Sequence, residues 1–327
     1  MRIPGMGLRR NVLIVALLAT TTHLSGQDIE GPPPGSSVAP DIPGVVKGGT
    51  PVELVRSGFG GSEGPVAMPD GGLLFTTGPT ITRVDPRGKI TTYLDNTSGV
   101  TGLAYDRSGR LIGARTEPPS LVVLSPQRSV LADSIDGLPL LRPNDLTLDA
   151  RGGIYFSDQP RRSGQQPEPR RNKGLLYRRN DGVVIQVAEG IEQPNGLVLS
   201  PDDRVLYAAD ARGEWVVAYD VQPDGSLASR REFARLEGVP SKTKMNTQTT
   251  ADGLAVDGEG RLYVATRIGV EVFDRTGRRL GAIPVTGGTG PQNLAFAGPV
   301  KDILFVVGER SLWRVQMVAR GFVGRAK

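Results

Sequence analysis

The chain has 327 residues, no cysteine, a single histidine and a formal net charge of +5, with 44 glycines and 26 prolines. That inventory excludes disulfides, cysteine–histidine pairs and an ordinary zinc site of nitrogen and sulfur ligands. Abundant turn residues between short alternating runs point to an all-β protein, and one propeller or barrel domain can account for this length.

In chain order, Arg2, Arg9 and Arg10 precede the apolar run Val12–Ala19, which is too short to span a bilayer. Residues 1–26 therefore read as a signal peptide with cleavage near Gly26, directing the protein to the periplasm or the exterior. A retained membrane anchor is the alternative; after cleavage no stable membrane insertion is expected. His23 lies inside this leader, so the mature chain would have no histidine, which removes a Ser-His-Asp triad and a histidine base. Residues 27–50, "QDIEGPPPGSSVAPDIPGVVKGGT", read as a flexible Pro/Gly linker, and residues 51–327 as the functional domain.

From residue 63 a unit recurs six times: "EGPVAMPDGGLLFTT", "TGLAYDRSGRLIGAR", "NDLTLDARGGIYFSD", "NGLVLSPDDRVLYAAD", "DGLAVDGEGRLYVAT" and "QNLAFAGPVKDILFVV". Each is an apolar strand, a turn resembling D-x-x-G, and a second strand. The starts are 38, 43, 51, 57 and 40 residues apart, the spacing of four-stranded propeller blades. Outer strands are expected at 81–85 and 89–94, 121–125 and 129–132, 175–179 and 183–188, 215–221 and 227–233, and 270–274 and 279–284. The sixth unit shows only 312–317 before the sequence ends. Val52–Val55 is the expected missing strand, closing a six-bladed β-propeller by pairing the N-terminal part of the chain with the last blade.

First strands of propeller blades line the central channel, so equivalent positions share one axis. The units begin with Glu63, Thr101, Asn144, Asn195, Asp252 and Gln292, all bearing side-chain oxygens. Asn-Gly and Asn-Asp are ordinary turn dipeptides, but turn chemistry does not explain a Glu and a Gln in phase with them. Glu63, Asn144, Asn195 and Asp252 together offer two carboxylates and two amide oxygens, a donor set for a hard divalent cation. Ca²⁺ suits it best, with Mg²⁺ and Mn²⁺ as alternatives and Zn²⁺ less suited to oxygen ligands alone.

The motifs "SEGPV", "RPNDLTLDARGGIYFSD", "QPNGLVLSPDDRVLYAAD" and "ADGLAVDGEGRLYVAT", in this order and spacing, resemble the senescence marker protein/gluconolactonase (regucalcin-like) family over roughly 50–317. The resemblance implies a divalent metal on the axis, usually Ca²⁺, and hydrolysis of a lactone at one mouth. Carried over residue by residue, the metal ligands are Glu63, Asn195 and Asp252, with Asn144 as ligand or substrate contact, and Arg142 is the substrate-binding arginine. Asp252 is the expected general base, although a carboxylate on a cation is a weak one. Animal members carry a sugar-contacting glutamate where this chain has "QPRR" at 159–162, so their polyol preference does not carry over. The same constellation is similar to that of squid-type diisopropylfluorophosphatase, in which Asp252 would be the nucleophile. A metal-binding periplasmic propeller without activity is a third reading. Asp158 and Asp210, ending second strands, are candidates for orienting the ligands, or are plain turn formers. The insertion 159–173, "QPRRSGQQPEPRRNK", reads as a solvated loop or a basic lid attracting anions, and 240–250 as a second rim loop. No aromatic residues interleave with the basic ones, so nucleic acid is not an expected partner.

Overall fold

A computed structural model describes Met1 and residues 37–160, 173–237, 251–286 and 290–325. The chain divides into two compact units, Met1–Gly31 and Pro32–Lys327. The leader lies outside the described residues apart from Met1, and every described strand belongs to the second unit.

Among the described residues every regular element is a strand, and the strands form six antiparallel sheets plus one small hairpin. The chain is a six-bladed β-propeller. Blade one runs from an inner strand Glu63–Ala67 through Leu73–Thr76 and Ile81–Val84 to an outer strand Ile90–Leu94. The inner strands of blades two to six are Val100–Tyr105, Pro143–Leu148, Pro194–Leu199, Leu254–Val256 and Asn293–Ala297. These six inner strands touch in cyclic order, the last returning to the first. The expected outer strands fall within one or two residues of those observed.

Local chemistry explains the repeat. In "DRSGR", "DARGG" and "DGEGR" an aspartate opens the turn between the first and second strands. Asp106 Oδ1 accepts the N–H groups of Ser108 and Arg110, Asp149 Oδ1 those of Arg151 and Gly153, and Asp257 Oδ1 those of Glu259 and Arg261. These are Asx turns, and the glycine each contains closes it in the left-handed region, Gly109 at φ 81° for example. Middle strands such as Ile154–Asp158 and Leu262–Thr266 are buried at every residue, because each blade is covered on both faces by its neighbours. Between blades three and four, Tyr155 and Tyr177 stack with centroids 4.3 Å apart. Their hydroxyls donate to Gly225 O and Asp149 Oδ2, so both are satisfied despite their burial.

The ring closes as expected. Pro51–Arg56 pairs with Ser311–Gln316, Val52 opposite Val315 and Leu54 opposite Trp313. The linker expectation is corrected for the described part, 37–50. Ser37–Val38 forms a further strand beside Pro51–Arg56, and Ala39, Ile42, Val45 and Val46 lie in the core with Trp313, Tyr263 and Val272. Val45 O also accepts the N–H groups of Val318 and Ala319. Prolines and glycines here shape a packed hairpin around four apolar side chains, and the composition masked that spacing. Residues 27–36 lie outside the described residues.

Candidate functional site at the upper mouth

The inner strands begin at one mouth of the channel, here the upper one. Hydrogen bonds and close backbone approaches link their first residues around the axis. Thr101 Oγ1 donates to Asn144 O at 2.6 Å, Gly253 N to Gln292 O at 2.7 Å, and Gln292 Nε2 to Glu63 Oε1 at 3.1 Å. A Cβ on Gly196 would lie 2.2 Å from Asp252 O, and one on Gly64 1.9 Å from Thr101 O. Glycine after the axial residue is thus what lets neighbouring blades meet this closely. The four expected cation ligands, Glu63, Asn144, Asn195 and Asp252, all stand at or within two residues of the start of an inner strand, at this mouth.

Bulges aim these side chains. The pairing of first and second strands shifts register between Glu63 and Val66, between Pro143 and Leu146, and between Pro194 and Leu197. The irregular residues include Asn144 and Asn195. An extra residue here twists the strand end and redirects its side chains, a device common beside active sites.

Asn195 is 7% exposed, and its Oδ1 has no hydrogen-bond partner among the described residues. A buried acceptor left unmade costs about 1–3 kcal/mol. Neighbouring polar residues differ sharply. Asp145 Oδ1 accepts the N–H of Leu146, and Asn293 Oδ1 that of Leu294, both at 2.9 Å. Turn chemistry therefore explains Asp145 and Asn293 but not Asn195. Two carboxylates and two amides, one of them with an unpartnered oxygen, fit a hard cation. Glu63 is held for such a role: Gln292 reaches Oε1, Asn293 Nδ2 lies 3.5 Å from Oε2, and Gln292 Oε1 accepts the N–H of Glu309 at 2.9 Å. Thr101 offers nothing comparable, because its hydroxyl donates to a backbone carbonyl.

Arg142 lies two residues ahead of Asn144. Its Nη2 bonds Gln159 Oε1 and its Nε donates to Pro160 O at 3.2 Å, which sets the plane of the guanidinium. Asp158 is fully buried and accepts the N–H groups of Leu141 and Arg142, the latter at 2.7 Å. Asp210 repeats the arrangement one blade on, accepting the N–H groups of Glu192 and Gln193 at 3.0 Å. Pro143 pairs opposite Asp158, and Pro194 opposite Asp210. Both aspartates thus hold the segment that delivers an axial asparagine, acting through backbone. The sequence marks Gln292 as an axial residue but not as a partner of Glu63, and it does not mark Gln159 as a partner of Arg142. The spacing shared by R-P-N…D and Q-P-N…D was the available signal for the first group. Contacts between blades one and six have no local signal. The basic insertion from 161 to 172 and the rim loop 240–250 lie outside the described residues.

Residues 61–310 match the SMP-30/Gluconolactonase/LRE-like region family. The chain is 26% identical to a gluconolactonase of Zymomonas mobilis over 93% of its own length and 94% of that protein. It is 26% identical to Xenopus laevis regucalcin, covering 72% and 79% of the two chains. Among solved structures, a gluconolactonase from Xanthomonas campestris superposes with a TM-score of 0.72 at 27% identity, over 83% of this chain and 90% of that one. The match over residues 61–310, on a chain folded as a six-bladed propeller, makes this protein a member of the SMP-30/gluconolactonase/LRE-like family.

Proposed function

We propose that the protein is a divalent-cation-dependent lactonase that opens a sugar lactone or related cyclic ester at the upper mouth. The observation that carries the reading is the buried Asn195 Oδ1 without a partner, on the same ring as Glu63, Asn144 and Asp252. Family relatives named gluconolactonase and lactonohydrolase support the reaction class, and a calcium-binding regucalcin with the same fold is consistent with Ca²⁺ as the first candidate. Glu63, Asn144, Asn195 and Asp252 would hold the cation, which when bound supplies a Lewis acid for the ester carbonyl.

The chain's own groups then divide the remaining work. Asp252 accepts a proton from the attacking water. Arg142, its guanidinium fixed by Gln159 and Pro160, orients the ester through its planar donors. Gln292 keeps the Glu63 carboxylate turned into the ring. We further propose that the arginine-bearing leader exports the protein, where it would act on small soluble lactones. A panel of sugar and aliphatic lactones, assayed by acid release with Ca²⁺, Mg²⁺, Mn²⁺ or Zn²⁺ and with EDTA, tests the reading. Opening of at least one lactone, lost on chelation and restored by one cation, is expected. No turnover of any lactone would overturn the reaction, and full activity in EDTA would remove the cation.

A further inference from the structure

The opposite mouth of the channel, where inner strands turn into second strands, holds a cavity of about 470 Å³. Turns from five blades line it, and residues 322–325 form the remaining wall. Its volume lies within the range of small-molecule sites. Met68, Tyr105, Leu148 and Phe322 supply apolar wall.

The charges on this wall are unevenly matched. All three of its carboxylates are engaged. Asp106 accepts Arg110 Nε at 2.7 Å, Asp149 accepts Arg151 Nη2 at 3.0 Å, and Asp203 pairs with Arg325. Two cations on the wall, Lys301 and Arg107, have no carboxylate within ion-pair reach among the described residues. Lys301 Nζ donates to the carbonyls of Phe322, at 2.6 Å, and Arg325. An ammonium has three donors, so one N–H remains for a ligand. Burial and the nearby Arg325 guanidinium lower the Lys301 ammonium to about 8. A desolvated cation with only neutral partners gains most from an anion.

We propose that the lower mouth binds a small carboxylate with an apolar body, Lys301 and Arg107 taking the carboxylate and Tyr105, Phe322 and Met68 the body. The site is separate from the upper ring and stands whether or not that ring hydrolyses lactones.

Calorimetric titration of the full chain with hexanoate, in EDTA and at fixed ionic strength, tests the proposal. Hexanoate is expected to bind more tightly than acetate, because only hexanoate reaches the apolar wall. At pH 8 binding takes up a fraction of a proton, since a carboxylate beside Lys301 raises its pKa; at pH 6 the amine is already protonated and uptake vanishes. The uptake is read from the dependence of the heat on the ionisation enthalpy of the buffer. Lys301→Met should abolish uptake and weaken hexanoate by about tenfold or more. Arg107→Ala, at an exposed turn position, should weaken binding yet keep the uptake, and does not depend on the fold tolerating a change at Lys301. Absence of hexanoate binding at millimolar concentration would overturn the site. So would acetate binding as tightly as hexanoate, or affinity unchanged in Arg107→Ala.

Discussion

Replacing Asn195 with alanine separates an amide that serves the fold from one that serves a ligand. In the cation-free protein its Oδ1 is buried without a partner, so removing it relieves about 1–3 kcal/mol of unmade hydrogen bonding. Deleting the side chain also removes packing, a loss of similar size for a small buried group. The two effects oppose one another, and cation-free Asn195→Ala should unfold within about 1 kcal/mol of wild type. Gly196 still makes the close approach to Asp252, so the blade interface survives. With a cation at a hundred times its dissociation constant, wild type should gain about 2.7 kcal/mol. For a domain of this size that corresponds to about 4 °C in Tm. The variant should lose most of this rise. Thermal denaturation followed by circular dichroism, with EDTA and with Ca²⁺, gives all four values. If alanine lowers Tm equally in both conditions, Asn195 is structural. If it keeps the full Ca²⁺-induced rise, the cation binds elsewhere.

Three other changes probe the scaffold around the ring. Gly196→Ala forces a Cβ to within 2.2 Å of Asp252 O and should cost about 1–3 kcal/mol in urea unfolding, with cation affinity falling as blades four and five part; unchanged affinity would mean that the close approach does not shape the site. Asp158→Ala strips the buried acceptor from the N–H groups of Leu141 and Arg142 and should lower unfolding free energy by about 3 kcal/mol and turnover with it, whereas equal turnover would show that Asp158 does not position Arg142. Val45→Asp places a carboxylate where exposure is 0% and should cost more than about 3 kcal/mol; a silent substitution would restore residues 37–50 to the status of a linker.

The blade pattern was legible because every unit carries its own local signals. "DRSGR" and "DGEGR" announce an Asx turn, and the alternating runs beside them announce strands; the observed turns at Asp106 and Asp257 use those same atoms. Ring closure was legible too, since the sixth unit lacks a strand that only Val52–Val55 could supply. Residues 37–50 read as a linker because Pro40, Pro43 and Gly48 look like linker composition, while Ile42, Val45 and Val46 are buried in a core whose other members include strands more than two hundred residues away. Gln292 was legible as an axial residue, but the same distance in sequence hid its bond to Glu63, which spans blades six and one. No short window contains both residues.

The ring also shows why a turn dipeptide and a ligand can look alike in a sequence. The residue after each axial position is glycine in four units, and Asp145 or Asn293 in the other two. Where glycine stands, the neighbouring blade closes directly over its backbone, as Asp252 O does over Gly196. Where a side chain stands, it turns back and accepts the next N–H of its own strand. Either way the backbone is accommodated one residue beyond the axial position. At Asn195 the axial side chain is thereby released from capping its own turn, whereas Glu63 Oε2 still accepts the N–H of Gly64 at 3.3 Å. Asp158 and Asp210 complete the separation by holding the backbone ahead of Asn144 and Asn195 from the second strand. Asn195 can then keep an oxygen buried and unpaired among the described residues, which an asparagine that made its own turn could not do.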